Sequence, residues 1–520
     1  MKTKYKFLLI FFIISLFLKT DFRLEEDIYC CGDDHDYYSH SETLVIDFDL
    51  DYTNQLEGYE KSRYFNNNKI APIGFVGSGI LATPFIFLGN SLDKIIILNS
   101  GVNFKILFYS FSSIFYLYLS IFFLLKIKNL IYKEFKNLNV IFLFLGSGLS
   151  YYSFERFSMT HTYEVFAITM ISYFSIKLIN NIDNKNSYDY FLLSFFLFLS
   201  FNIRWVNYFA FLIPFFLFKL FNTKNIKLLK SKAFLSISTF LLFLTLYINY
   251  SIYGIATLNP NDVYSKGDLS NSFQIFSNIF KTTESFFIIL FSKEFGILYF
   301  SPIIFFGLII IIFKVFKYHS FSSFLGLLIY LQVFAIVIIW QSTASSYGFR
   351  YLLCLTPISV ILLLEWFKNS AIENKEFILN FLIGISIFSL ISTLFFETTL
   401  QTQLSTDEEV NAFGQLLRYT EPEYLTGYLK SFFALNAYLK IFVTSFLGLL
   451  FFKLVFQFMT VEAFLDFISR FGINLNDEKV SDLLIQYSSL EFSYIIFVLA
   501  SIFLMTYFLV NFINLDQQKI

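Results

Sequence analysis

Any chemistry in this chain has to come from a small set of polar residues. Asp33, Asp34 and Asp36 surround His35, with His40 and Glu42 close behind, and Asp47, Asp49 and Asp51 then alternate with Phe48 and Leu50. Taken at its plainest, such a run is a solvated acidic face. Its chemical reading is a carboxylate at the rim of a cavity between helices, where partial burial raises its basicity and lets it take a proton from a hydroxyl. A divalent metal is a further option, with aspartates and His35 or His40 as ligands, although adjacency in sequence does not put them on one face. The cationic candidates are Lys69, Arg204 and Arg350, and His161 and Glu164 open an apolar run. An arginine deep in lipid costs about 2.5–3.5 kcal/mol, so one at a helix end either snorkels or faces a polar cavity. For Glu164, and for Glu294 further on, a hydrogen bond between helices competes with substrate contact.

The elements that must position these residues follow from composition. Of 520 residues, 56% are hydrophobic and 15% charged, well below the roughly 25% charge of globular chains and too few to coat a compact soluble body. The chain reads as an all-α polytopic membrane protein. Its 76 phenylalanines are expected at lipid-facing positions. With 38 Lys+Arg against 39 Asp+Glu the net charge is −1, which excludes an overall polybasic binder of nucleic acid or anionic lipid. Cys30, Cys31 and Cys354 are too few for a disulfide framework, and no Cys/His spacing matches zinc. Phosphate-loop, dinucleotide-binding and nucleophile-elbow motifs are absent.

Lys2, Lys4 and Lys6 precede an apolar run from Phe7 to Leu18 with no small-residue cleavage site after it, which is expected to be an uncleaved anchor. Further apolar runs lie near 73–90, 103–126, 137–153, 160–180, 187–203, 205–222, 233–253, 296–316, 321–340, 350–367, 376–396, 436–457 and 491–513. The run 73–90 holds Gly74, Gly77, Gly79, Pro84 and Gly89 and suits a broken or interfacial segment better than a span. Denying it a span collects the lysine clusters 126–136, 177–185, 219–232, 314–317 and 368–375 on one side, as cytoplasmic loops require. The result is about 13 transmembrane helices with the N-terminus inside. Residues 20–102 then form a first extracytoplasmic loop with interfacial helices, and 458–490 lies inside. Residues 1–396 make the main membrane domain, and 397–520 a C-terminal loop and the last helices.

Several phrases, in order, resemble a known family. Gly32-Asp33-Asp34-His35-Asp36-Tyr37-Tyr38 followed by Asp47-Phe48-Asp49-Leu50-Asp51 is similar to the first periplasmic loop of the type C superfamily of membrane glycosyltransferases. These are the protein O-mannosyltransferases and aminoarabinose transferases, particularly their bacterial branch. Lys69-Ile70-Ala71-Pro72-Ile73-Gly74 resembles the family's step into an interfacial helix, and His161-Thr162-Tyr163-Glu164 its acidic position after the third helix. Gly296-Ile297-Leu298-Tyr299-Phe300-Ser301-Pro302 resembles a helix start of the family. Trp340 with Tyr347-Gly348-Phe349-Arg350-Tyr351 is similar to its Trp…Phe-Gly-x-Arg-Tyr phrase. The resemblance covers roughly residues 1–370. Asp34 stands where Glu is usual, and His35 where Pro is frequent.

The resemblance implies transfer of a sugar from a polyprenyl-phosphate-linked donor to a lipid, glycan or protein acceptor on the outer side of a bacterial cytoplasmic membrane, with inversion. A displacement at the anomeric carbon needs a base on the acceptor face and positive charge on the departing phosphate. The resemblance gives the base role to Asp33, with Asp34 orienting or sharing the proton. Lys69, Arg204, Arg350, Glu164 and His161 become the substrate and phosphate contacts, and Trp340 a belt aromatic or sugar platform. No organic cofactor and no nucleic-acid partner is expected. A transporter or flippase of envelope lipids or glycans is the alternative, although matching interrupted helices in two halves are not evident; a non-catalytic scaffold is a third.

Overall fold

A computed structural model describes residues 32–56, 65–66, 69–95, 103–180, 187–221, 231–259, 262–263, 279–291, 296–340, 347–370, 374–399, 435–473, 475 and 478–517. The expected N-terminal anchor, Cys30, Cys31, Glu294 and most of the loop 397–434 lie outside the described residues.

The described chain is helical throughout, apart from a two-residue antiparallel hairpin of β1 (Phe65–Asn66) and β2 (Lys69–Ile70). Helix α1 (Gly32–Ile46) precedes the hairpin and α2 (Gly77–Ile95) follows it. The bundle continues with α3 (Phe104–Ile131), α4 (Asn137–Leu145), α5 (Leu149–Phe154), α6 (His161–Asn180) and α7 (Ser187–Ile203). A 3-10 segment, Trp205–Leu212, leads into α8 (Ile213–Leu220), α9 (Lys232–Tyr253) and α10 (Ile279–Phe291). Then come α11 (Ile297–Phe300), α12 (Pro302–Tyr318), α13 (Phe321–Trp340), a second 3-10 turn (Arg350–Leu355), α14 (Thr356–Asn369) and α15 (Lys375–Thr399). The C-terminal part holds α16 (Leu435–Thr444), α17 (Phe446–Val455), α18 (Val461–Ser469), α19 (Glu478–Ser489) and α20 (Phe492–Gln517).

Among the described residues six helical segments are long and apolar enough to cross a membrane: Phe104–Ile131, His161–Asn180, Lys232–Tyr253, Phe321–Ile339, Arg350–Asn369 and Lys375–Leu394. A seventh is gained if α19 and α20, bent by 103° at their junction, count as one. Among the described residues several further apolar runs fold as shorter pieces, so the larger expected number is not confirmed. The run 137–153 divides at Gly146-Ser147-Gly148, where Gly148 takes φ +84, a left-handed conformation open to glycine without a Cβ penalty. The run 296–316 divides at Ser301-Pro302, the proline opening α12 where its missing N–H costs nothing. The run 205–222 begins as 3-10 turns and becomes α-helical at Ile213-Pro214. Helix α2 runs as a single helix from Gly77 to Ile95 with Pro84 inside it, where its glycines suggest a broken or interfacial segment, and it is not among these six.

Helices α3 and α6 are the buried core, while α9 and α15 expose most of their surface. Phe240, Phe243, Phe313, Phe316, Phe377 and Phe381 are exposed large side chains on peripheral helices, while Phe104, Phe111, Phe144, Phe166 and Phe216 are buried in the core, so phenylalanine fills both kinds of position. The first turn of α3 is capped twice: Asp93 of α2 accepts from the Phe104 and Lys105 amides at 2.8 and 3.1 Å, and Asn103 accepts from Ile106 at 3.3 Å. This end of α3 also receives α1, through an ion pair of 2.7 Å between Lys105 Nζ and Glu42 Oε1.

The same end receives the C-terminal helices. The Phe497 ring of α20 lies 5.3 Å from Phe104 and 6.2 Å from Phe108. Five residues of helix, about 7.5 Å of rise, separate Phe497 from the start of α20, so the α19–α20 elbow belongs to the α1 end of the bundle. The expectation that 20–102 and 458–490 face opposite sides is thereby corrected. It rested on charge bias, and the later segment mixes Arg470 and Lys479 with acids, which leaves that rule little to act on.

Candidate active site

Helix α1 brings the acidic run onto the end of the bundle. Asp34 is fully buried; its Oδ1 accepts a hydrogen bond from Ser158 Oγ at 2.5 Å, and Arg156 Nη2 lies 3.7 Å from Oδ2. The Ser158 carbonyl in turn accepts from Tyr109 Oη of α3 at 3.3 Å, and the Tyr109 ring packs 5.4 Å from Tyr38 and 5.6 Å from Phe157. The loop between α5 and α6 therefore fastens α1 through a buried charge with an ionic neighbour and a donor, the condition for keeping a charge inside a protein. Asp36 is buried as well. Asp33 occupies the first turn of α1, and its side chain lies outside the described residues.

A second cluster forms around the Tyr351 ring. Arg204, at the junction of α7 with the 3-10 segment, donates from Nη1 to Glu164 Oε2 at 2.9 Å, and its guanidinium carbon sits 3.9 Å from the centre of the Tyr351 ring. The Arg350 guanidinium carbon lies 5.4 Å from the same ring. Glu164 is in the first turn of α6, where the positive end of the helix dipole favours a carboxylate. His161 opens α6, with Nδ1 3.5 Å from Glu164 Oε2 and its ring 5.0 Å from Tyr152 and 5.9 Å from Tyr351. Glu164 Oε1 is buried with no hydrogen-bond partner among the described residues. An orphaned buried acceptor needs a donor, and a substrate hydroxyl can supply one.

One peptide unit joins the two clusters. Ser158 holds Asp34, and its neighbour Met159 accepts from Arg350 Nη1 at an S···N distance of 3.8 Å. Consecutive Cα atoms lie about 3.8 Å apart, so α1 and the Arg350 turn meet at the same place. Of the residues expected to contact substrate, His161, Glu164, Arg204 and Arg350 come together here, and Asp34 adjoins them.

The remaining expected residues make contacts of their own or lie outside the described side chains. Lys69 is exposed and donates to the Ser251 carbonyl near the end of α9, which ties the hairpin to that helix. The side chain of Trp340, at the end of α13, lies outside the described residues. His40 is a buried latch: Nε2 donates to the Gly74 carbonyl at 2.6 Å, and Nδ1 accepts from Tyr52 Oη at 2.7 Å. Burial lowers its pKa to about 4, against the opposing hydrogen bond to Gly74. Both ring nitrogens are thus committed, whereas a metal ligand must present one bare nitrogen. His35 Nδ1 lies 3.3 Å from Ser39 Oγ.

The alternating aspartates form local turns. Asp49 accepts from Thr43 Oγ1 and the Asp51 amide, Asp47 from Asn54 and Gln55, and Asp51 from the Thr53 hydroxyl and amide. The Thr53 hydrogen bonds hold the Asp51 carboxyl below its ordinary pKa. Among the described residues no group of three or more His, Cys, Asp or Glu side chains is placed to hold a metal ion.

Sequence reasoning passed over Arg156, Ser158 and the central role of Tyr351. A signal was present for the first: Glu155 and Arg156 are charged residues inside an apolar stretch, both buried, and charge at that depth marks function or a paired structural role. Nothing local distinguishes Ser158.

No protein-family model matches the sequence, and no curated protein matches it. Among solved structures, the apo form of the Archaeoglobus fulgidus oligosaccharyltransferase superposes with a TM-score of 0.40 and 10% sequence identity. The match covers 82% of this chain and 55% of that one, so the chain spans little more than half of that protein's length.

Proposed function

We propose that this membrane protein transfers a sugar from a polyprenyl-phosphate-linked donor to an acceptor hydroxyl at one face of the membrane, by a single inverting displacement. The observation that carries the reading is convergence: residues picked from separate phrases between positions 34 and 350 gather at one end of the bundle, around Tyr351 and the Ser158–Met159 unit. Unrelated anchors at helix ends have no reason to do so.

In this scheme Asp33 takes the acceptor proton, and Asp34 fixes α1 through Ser158 and Arg156. Arg350 binds the departing phosphate. Arg204 is committed to Glu164 and the Tyr351 face, so it orients the Arg350–Tyr351 turn and offsets the charge of Glu164. Glu164 Oε1 and His161 remain as contacts for sugar hydroxyls. Preorganised charge aimed at a developing phosphate is usually the largest catalytic contribution. The side carrying α1 is the outer side of a bacterial cytoplasmic membrane, and the acceptor is a lipid, glycan or protein.

The test is reconstitution with a labelled prenyl-phosphate sugar. Wild-type protein consumes donor, and Asp33→Asn lowers turnover by about 10²–10⁴, the usual worth of a general base, with its thermal transition unchanged. Undiminished transfer by that variant removes the base assignment. Movement of intact donor across the bilayer without consumption replaces the enzyme with a flippase.

A further inference from the structure

The C-terminal helices carry an apolar surface that the bundle does not use. Around α18 the apolar residues Val461, Phe464, Leu465, Phe467 and Ile468 fall on one side, and Glu462, Asp466, Ser469 and Arg470 on the other, the pattern of an amphipathic helix. Part of the apolar side packs inward: Ile468 is buried, and the Phe464 ring lies 5.3 Å from Phe452 and 5.9 Å from Phe456 of α17. The rest faces out. Phe467 is 51% exposed and Phe471 69%, their rings 5.2 Å apart, and Phe458 just ahead of the helix is 90% exposed. Thr460 caps the helix start by accepting from the Ala463 amide at 3.2 Å, so this is a defined helix.

The geometry of the elbow says what covers this face. Helix α20 leaves α19 at 103° and exposes Ile496, Phe503 and Leu504 along its length, the surface of a helix bordered by lipid. If α20 runs through the bilayer, a helix at a right angle to it runs along the surface, and α18 packs beside α19. The elbow is tied to α17, with buried Lys453 Nζ donating to the Ser488 carbonyl at 2.8 Å and lying 5.5 Å from the Phe492 ring centre. The helices that carry the exposed rings are thus anchored at the elbow from which α20 departs.

We infer that α18 and α19 lie in the membrane–water interface at the end of the bundle that carries α1. Phe458, Phe467 and Phe471 enter the bilayer at the headgroup–acyl boundary, while Glu462, Asp466 and Arg470 face water. Such helices bury their apolar face about 5–10 Å into the interface. The inference is independent of any catalytic reading: it concerns where the bilayer surface meets the protein.

The test is spin-label accessibility on the full chain in phosphatidylethanolamine and phosphatidylglycerol vesicles. Cys30 and Cys31 are replaced by serine, and buried Cys354 is retained. Labels are placed by Phe467→Cys, Phe471→Cys and Glu462→Cys, all at exposed positions. Labels at 467 and 471 are expected to relax with oxygen and be shielded from a water-soluble nickel chelate, giving an oxygen-to-nickel ratio severalfold above that at 462. Ready access of nickel to 467 and 471 overturns the proposal by placing the face in water. Shielding of both from oxygen and nickel alike also overturns it, by placing a second copy or another protein there. Phe458→Cys, outside the helix, repeats the measurement where a folding defect is least expected.

Discussion

Arg204 Nη1 lies 2.9 Å from Glu164 Oε2, and the carbon of the same guanidinium sits 3.9 Å from the centre of the Tyr351 ring. Two residues forty positions apart in sequence thereby neutralise each other inside the bundle, and a third, Tyr351, next to Arg350, packs against the pair.

Breaking this pair leaves a buried charge without its counterion, which costs about 3–5 kcal/mol. Arg204→Ala and Glu164→Ala are each expected to destabilise by that order, and the double variant by little more than either alone. Thermal or denaturant unfolding of the four proteins in one detergent checks this. Additive losses would show that the two residues act independently.

Helix α1 sits on α2 through a contact that admits no side chain at Gly79. A Cβ there would meet the His40 Cβ at 2.4 Å and the Ser41 amide nitrogen at 3.1 Å, while Ser41 Oγ donates to the Gly79 carbonyl at 2.9 Å. Gly79→Ala should push α1 outward and cost about 1–3 kcal/mol, as overpacking does. It should also loosen the Asp34–Ser158 contact. Faster amide exchange across 34–46, with α3 unchanged, is the expected signature; uniform protection would refute it.

The His40 latch makes stability depend on pH. Its pKa in the folded protein is about 4 against an ordinary 6.5, so between those values the unfolded chain binds a proton that the folded one does not. Stability from this residue is complete above about pH 6.5. It declines as pH falls towards 4, by about 1.4 kcal/mol per unit. The melting temperature should therefore drop from pH 7 to 4.5, and His40→Gln should flatten that part of the profile while lowering its neutral plateau. An unchanged slope in the variant would assign the acid sensitivity to other groups.

How much of the site was legible in the sequence depended on what each residue had to satisfy locally. Arg204, Arg350, Glu164 and His161 stood out because a polar group at the end of an apolar run has few reasons to be there. Lys69 stood out equally, and only the structure shows its bond to the Ser251 carbonyl, since a lysine tying two segments together and a substrate-binding lysine look alike in sequence. Ser158 could not be found, because a serine gains its importance only from the carboxylate that another helix brings to it.

The sequence by itself determined that this is a helical membrane protein with an acidic segment ahead of most of its apolar runs and a small set of charged residues at helix ends. Partition between lipid and water acts on each segment separately and is written in composition and run length. The tertiary structure alone decided that Tyr351 is the common partner of Arg204, Arg350 and His161, that Asp34 is tied to Ser158 and Arg156, and that the C-terminal elbow shares an end with α1. Those relationships arise from packing between segments hundreds of residues apart, where shape and the pairing of buried charge select one arrangement among many that local pattern allows.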